Sequence, residues 1–142
     1  MEVKKETVKA VLFSIKPKYA DDILSGRKTV EVRLRAPAIK PPYKGYIYKT
    51  GGGNAVVGEF TVAEVYRHSK GSIPDDLYLL DMCMTGAELA QYTRGGAFVG
   101  LRIRDAIAYD VPVPVTAFVE SNGETLKRAP ISWCYVEERQ EG

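Results

Sequence analysis

The sequence has few of the residues that build metal sites and disulfide frameworks. Its 142 residues include two cysteines and one histidine. Cys83 and Cys134 lie far apart and match no metal-ligand spacing. We expect both to be buried free thiols, because unpaired cysteine packs like a small apolar residue. His68, in YRHSKG, is predicted to be a loop residue. We therefore predict no metal site and no cofactor.

Long apolar runs are also lacking. No run approaches the roughly 20 residues that a membrane-spanning helix needs. The opening MEVKKETVKAVLFS has neither the long apolar core nor the small-residue cleavage site of a signal peptide. These features predict a cytoplasmic protein with no membrane partner. The length is typical of one domain, so we predict a single domain over residues 1–142.

Charge is distributed unequally along the chain. Residues 1–49 carry 12 Lys and Arg against 5 Asp and Glu, whereas residues 50–142 carry 8 against 13. A basic surface built from the first third would attract phosphate groups. The alternative is that the two halves mix in the folded chain and no basic face forms.

Short β-like runs alternate with turn signals, and few helices lie between them. The predicted strands are VKAVLFSI, TVEVRL, YIYKT, AVVGEFTVAEVYR with a bulge near Gly58, AFVGLRIR and ISWCYV. Pro112 and Pro114 restrict VPVPV to a sheet edge or rim. The fold class is α+β, mainly β, and the pattern favours a small closed or nearly closed β-barrel with short flanking helices.

Three helices are predicted between the strands. The first begins at Pro17 and ends at Gly26, and the second lies between Pro74 and Met84. Thr85 and Glu88 have the spacing of a capping box, which predicts a third helix through Tyr92.

The segment SGRKTVEVRLR combines charge with a strand-like alternation. Val30, Val32 and Leu34 should face one way, and Glu31 and Arg33 the other. The Glu31 carboxylate would orient the Arg33 guanidinium, so the remaining N–H donors of Arg33 could bind a phosphate or a base edge. Lys28 would add a point charge, and Glu31 could instead accept from a base amino group. The alternative is a solvent-exposed ladder of charges.

The same segment resembles a known family. SIKPKYADDILSGRKTVEVR is similar to the opening of ASCH-domain proteins, in the PUA-like superfamily. Their Gly-x-Lys-x-x-Glu-x-Arg hallmark is matched by Gly26, Lys28, Glu31 and Arg33. GYIYKT, VVGEF, FVGLRIRDAIAYDVPVPV and APISWCYV extend the resemblance over nearly the whole chain. It implies a PUA-like β-barrel with a cleft beside the first helix and the hallmark segment.

The resemblance implies binding of single-stranded RNA, a nucleotide or a modified base. ASCH proteins are proposed to bind RNA, a ribonuclease activity has been associated with them, and one branch deacetylates acetylcytidine with a Lys, a Thr and a Glu. The branch's Lys matches Lys28, but the position of its nucleophilic Thr is Glu31, and Thr29 matches a different Thr. For an enzyme, an acetylcytidine amidohydrolase-like hydrolase or a ribonuclease, the catalytic pair would be Lys28 and Glu31.

Further candidates surround this set. The predicted ligand- or RNA-binding residues are, together, Lys16, Lys28, Thr29, Glu31, Arg33, Tyr48, Thr50 and Trp133. Lys16 would extend a basic face or be a solvated lysine. Tyr48 and Trp133 would stack on bases or pack in the core. Thr50 and the GGGN loop would bind an anion or form a simple turn. Glu88 could be the enzymatic branch's distant carboxylate, but the capping box already explains it.

Overall fold

The computed structural model describes residues 7–140, so the first six residues, with Lys4 and Lys5 of the basic third, and the last two lie outside the described part. The elements are, in chain order, β1 (Lys9–Ile15), α1 (Pro17–Leu24), β2 (Val30–Arg33), β3 (Tyr43–Lys49), β4 (Ala55–His68), α2 (Asp76–Met82), α3 (Gly86–Thr93), β5 (Phe98–Pro114), a 3-10 turn (Val115–Ala117) and β6 (Trp133–Glu137). No helix in this part of the chain is long and apolar enough to cross a membrane.

The six strands form one sheet in the order β2-β5-β4-β3-β1-β6. β1 and β3 are parallel, and the other neighbours are antiparallel. The mainly β architecture with short helices is confirmed, but closure into a barrel is not. β2 and β6 stand at opposite ends of the order, and no ladder joins them within residues 7–140. β2 has only four residues, and the prolines that follow it at 37, 41 and 42 lack the N–H donors a longer ladder would need.

The two long strands, β4 and β5, carry the irregularities that the sequence predicts. The β4–β5 pairing shifts register between Val56 and Gly58. The β3–β4 pairing shifts at the same two residues of β4, so the bulge near Gly58 is confirmed. β2 covers β5 only over Val99–Arg102. Ile103 still donates its N–H to the carbonyl oxygen of Thr29, but residues 104–114 have no partner strand on the β2 side within residues 7–140, which places VPVPV at a sheet edge, where proline is tolerated.

α1 packs across the central strands. Pro17 occupies its first turn, and Gly26 follows its end with φ of +85°, a conformation that glycine adopts without steric cost. Its buried Ala20 and Ile23 join the main core cluster, where Phe13 contacts Phe60 with ring centroids 5.7 Å apart. Because α1 is anchored in this way, the residues on either side of it, at 16 and 28, have defined positions.

α2 and α3 cover the opposite face of β2. Val30 and Val32 pack there against Met82, Leu89 and Phe98. Every residue of β2 is buried, so Glu31 and Arg33 are enclosed on the other face as well. The alternative of a solvent-exposed ladder of charges is therefore wrong.

Two residues of the neighbouring segments differ from the predictions. Leu34 does not continue the apolar face: it lies beyond the end of β2 and is 52% exposed. His68 is not a loop residue but the last residue of β4. Its Nε2 lies 2.8 Å from the hydroxyl of Tyr78 on α2, and its ring stacks on Phe98 at 4.6 Å.

The capping box at the start of α3 is confirmed. The hydroxyl of Thr85 accepts from the backbone of Glu88 at 3.1 Å, and the Glu88 carboxylate accepts from the backbone of Thr85 at 3.0 Å. The two cysteines, Cys83 and Cys134, are free but only half-buried, because Cys83 ends α2 and Cys134 lies on the edge strand β6.

Candidate functional site

A cleft of about 580 Å³ opens beside α1 and α3. Its lining comes from the end of β1, both helices, β2 and the segment before β6, namely Ser14, Ile15, Lys16, Tyr19, Lys28, Glu31, Val32, Arg33, Thr50, Met84, Glu88, Gln91, Tyr92, Ile131 and Ser132. Five of the eight predicted ligand-binding residues are among them. The cleft thus brings together residues from chain positions 14 to 132.

Three buried charged residues form the floor of this cleft. Lys28, Glu31 and Arg33 are 2, 4 and 7% exposed, and they are the buried charged side chains among the described residues. Charges are retained in a protein interior only when they are paired and hydrogen-bonded. The floor meets this condition through the contacts described next.

Arg33 makes a two-point contact with Glu31. Its Nε and Nη2 both donate to Glu31 Oε2, at 3.1 and 2.8 Å. The two side chains are two residues apart on β2 and therefore share a face, as the alternation predicts. The contact uses one carboxylate oxygen and leaves the other, Oε1, facing Lys28.

Arg33 also ties separate strands together. Nη2 donates to the carbonyl oxygen of Ser14 at 2.9 Å, at the end of β1, and Nη1 donates to the carbonyl and hydroxyl oxygens of Ser132 at 3.3 and 3.2 Å, just before β6. The guanidinium therefore makes five hydrogen bonds to protein atoms, as many as the N–H groups it carries. The expectation that Arg33 keeps donors free for a ligand is wrong, because two backbone carbonyls and the Ser132 hydroxyl take the donors that Glu31 leaves.

Lys28 completes the floor from the turn after α1. Its Nζ donates to the carbonyl oxygen of Met82 at the end of α2, lies 3.7 Å from Glu31 Oε1 and sits 4.8 Å from the centre of the Tyr19 ring. Burial lowers the pKa of Lys28 below the usual lysine value, and the Glu31 carboxylate opposes this shift. Lys28 and Glu31 thus present an ammonium donor and a carboxylate acceptor side by side.

The remaining predicted residues divide into two groups. Lys16, the residue before α1, and Thr50, after β3, line the cleft with the floor. Thr29 does not: its hydroxyl accepts from Arg102 at 3.2 Å. Tyr48 packs against a separate core cluster, and Trp133 donates to the carbonyl oxygen of Arg35 at 3.3 Å. None of these three residues lines the cleft.

Several lining residues are absent from the sequence-based set. Tyr19 and Tyr92 bring aromatic rings from α1 and α3, and Met84 and Ile131 bring apolar side chains. Burial raises the pKa of Tyr92, on which the charges of Arg33 and Glu31 act in opposite directions. Tyr92 is four residues after Glu88 and so on the same helix face, a spacing that could have indicated it.

The basic character of the first third is partly offset. Two of its lysines pair with acidic side chains from the rest of the chain, Lys18 with Glu88 at 3.5 Å and Lys44 with Glu59 at 2.9 Å. Its other ion pairs, Arg27–Asp22, Lys49–Asp21, Lys28–Glu31 and Arg33–Glu31, join residues within the first third. Lys16 has no ion pair among residues 7–140. In that part of the chain there is also no cluster of three or more His, Cys, Asp or Glu side chains that could hold a metal ion.

Comparison with known proteins agrees with this fold. The family model described as a domain of unknown function, DUF365, matches residues 8–128. The crystal structure of ASCH from Zymomonas mobilis is similar with a TM-score of 0.72 and 21% identity, covering 89% of this chain and 86% of that one. The crystal structure of a serine-to-alanine variant of that protein is similar with a TM-score of 0.71 and 20% identity, covering 89% of this chain and 87% of that one. At this identity the similarity establishes a shared fold, which confirms the resemblance to ASCH proteins. No curated protein matches the sequence.

Proposed function

Because the chain belongs to the DUF365 family and has the fold of an ASCH protein, we propose that it binds single-stranded RNA or a nucleotide, with one base inside the cleft. The observation that carries the proposal is the buried set of Lys28, Glu31 and Arg33 on the cleft floor. Burying three charges is costly, and such groups concentrate at functional sites.

The cleft has suitable dimensions and chemistry. Its volume of about 580 Å³ lies in the range of small-molecule sites. Tyr19 and Tyr92 supply aromatic surface on which a base can stack. Lys16, exposed where the cleft lining meets the start of α1, supplies a positive charge for a phosphate of the same ligand.

Titration of fluorescent single-stranded RNA at several salt concentrations tests the proposal. Affinity should fall steeply with salt, because phosphate contacts release counterions. Lys28→Met should weaken binding by at least about 1 kcal/mol. Lys40→Met, at an exposed lysine outside the lining, is the matched control and should bind as the parent does. Undetectable or salt-independent binding across RNA and nucleotides would refute the proposal.

One observation favours a second function, hydrolysis of a modified nucleoside such as acetylcytidine, or of RNA. Burial lowers the pKa of Lys28, and Glu31 is adjacent, which suits a pair that exchanges protons with a substrate. Turnover should be measured with N4-acetylcytidine and with RNA. Activity that persists in a Lys28→Ala protein would exclude this assignment.

A further inference from the structure

The hydrogen bonds of Arg33 limit what the cleft floor can bind. All five are made to Glu31, Ser14 and Ser132. A guanidinium recognises a phosphate through N–H groups directed at its oxygens. With its N–H groups directed at protein acceptors, Arg33 offers no such fork to a ligand.

Glu31 contributes an acceptor to the same floor. Oε2 receives both bonds from Arg33, whereas Oε1 has no hydrogen-bond donor within residues 7–140 and faces Lys28 Nζ at 3.7 Å. A phosphate placed here would put its oxygens against a carboxylate, and like charges at short range repel strongly in a partly buried site. A ligand N–H group would instead gain a charge-assisted hydrogen bond.

Lys28 supplies the complementary donor. Lys28 lines the cleft; one of its three N–H groups is used by the Met82 carbonyl, and Nζ lies 3.7 Å from Glu31 Oε1. The floor therefore offers an acceptor and a donor side by side. A group with the opposite order, an N–H next to a carbonyl or ring nitrogen, fits both.

The walls suit a planar group. Tyr92 is 42% exposed and Ile131 is fully exposed although both line the cleft, and the Tyr19 ring lies beside Lys28. Exposed aromatic and apolar surface beside a hydrogen-bonding floor is the arrangement in which a base inserts edge-first and stacks.

Resting on the proposed function, we propose that the floor recognises the neutral hydrogen-bonding edge of a nucleobase through Glu31 Oε1 and Lys28 Nζ. Arg33 is a positioning residue that fixes the Glu31 carboxylate, and the phosphates of the ligand stay at the mouth. The class of ligand is a nucleobase with an exocyclic amino group next to a ring nitrogen, as in cytosine and adenine.

The test compares nucleosides with and without the amino group. Calorimetric titration should give binding of cytidine and adenosine that is at least about fivefold tighter than binding of the ribosides of 2-pyrimidinone and purine. Nucleoside affinity should change little with salt, and inorganic phosphate should not compete. A ratio near one, or displacement of nucleoside by phosphate, would overturn the inference.

Two variants separate recognition from folding. In Glu31→Gln, Arg33 should hold the amide oxygen, so the amide NH₂ takes the place of Oε1 and the amino-group preference should disappear. Arg33→Lys keeps the charge but not the two-point contact with Glu31. It should therefore reduce the ratio of affinities between nucleosides with and without the amino group. Glu59→Gln, at an ion-paired glutamate outside the lining, is the matched control and should leave this affinity ratio unchanged. If circular dichroism shows that Arg33→Lys is unfolded, competition between inorganic phosphate and nucleoside for the parent protein still tests the inference.

The outcomes also separate this inference from the function on which it rests. If RNA binds but is displaced by phosphate and not by nucleosides, RNA binding stands and base-edge recognition is wrong. If neither RNA nor nucleosides bind, both are wrong.

Discussion

Arg33 holds a single oxygen of Glu31, Oε2, between its Nε at 3.1 Å and its Nη2 at 2.8 Å. The same guanidinium reaches the end of β1 and the segment before β6. It therefore joins β2, at one end of the sheet order, to strands at the other end through a side chain instead of a backbone ladder.

Arg33→Met should destabilise the fold strongly. It removes five hydrogen bonds and leaves the buried Glu31 carboxylate without its main partner, and breaking a buried pair in this way costs about 3–5 kcal/mol. Arg27→Met is the control: Arg27 is 65% exposed in its pair with Asp22, so its loss should cost about 0–1 kcal/mol. Urea unfolding of both variants measures the difference, and equal losses would contradict the assigned role of Arg33.

The pKa of Lys28 should respond to its two charged neighbours in opposite directions. The Glu31 carboxylate raises this pKa against the effect of burial, so Glu31→Gln should lower it further. Arg33 lowers it by charge repulsion, so a neutral residue at 33 should raise it in a variant that still folds. NMR titration of the lysine side-chain resonances measures both shifts. An unchanged pKa in Glu31→Gln would mean that the two groups do not interact.

Gly100→Ala should displace Tyr78. A Cβ at position 100 would clash with the Tyr78 hydroxyl, so the tyrosine side chain would have to move. Overpacking of this kind costs about 1–3 kcal/mol. Adding Tyr78→Phe removes the clashing oxygen, so the double variant should be more stable than the sum of the two single changes predicts. Gly52→Ala, whose Cβ would meet only the Lys49 carbonyl at 3.7 Å, is the control.

Stability should fall on acidification through the range in which His68 titrates. Burial lowers the pKa of His68 in the folded state, so between the folded and unfolded values the unfolded chain binds more protons. The free energy of unfolding should therefore decrease as the pH falls below about 6.5, the usual histidine value. His68 is the only histidine, so His68→Gln should remove this slope. A variant with the same slope would show that other groups cause it.

Much of the local structure could be predicted from the sequence because its causes are local. Pro17 and Gly26 bound α1, and Thr85 with Glu88 begins α3, since each acts on backbone groups within a few residues. The spacing of the hallmark motif also places Glu31 and Arg33 on one face of β2. The single domain over residues 1–142 and the cytoplasmic location stay predictions.

The errors share a different origin. Leu34 continues the alternation but not the strand, because pairing with β5 ends at Arg33. For Trp133 and Tyr48 the sequence left stacking on bases and packing in the core both open, and in the structure both make packing contacts. Side-chain type alone does not decide between these roles, since the same aromatic surface can pack in a core or stack on a base.

The sequence by itself determined the hallmark motif, the alternation of β2 and the ends of the helices. Only the tertiary structure decided what the buried charges contact. Arg33 donates to carbonyl oxygens 19 and 99 residues away, and Lys28 to one 54 residues away. Every residue carries a backbone carbonyl, so no sequence signal marks those at Ser14, Ser132 and Met82 as partners. The order of strands in the sheet and the placement of α2 bring them to the cleft floor, where they turn Arg33 inward and leave Glu31 Oε1 beside Lys28.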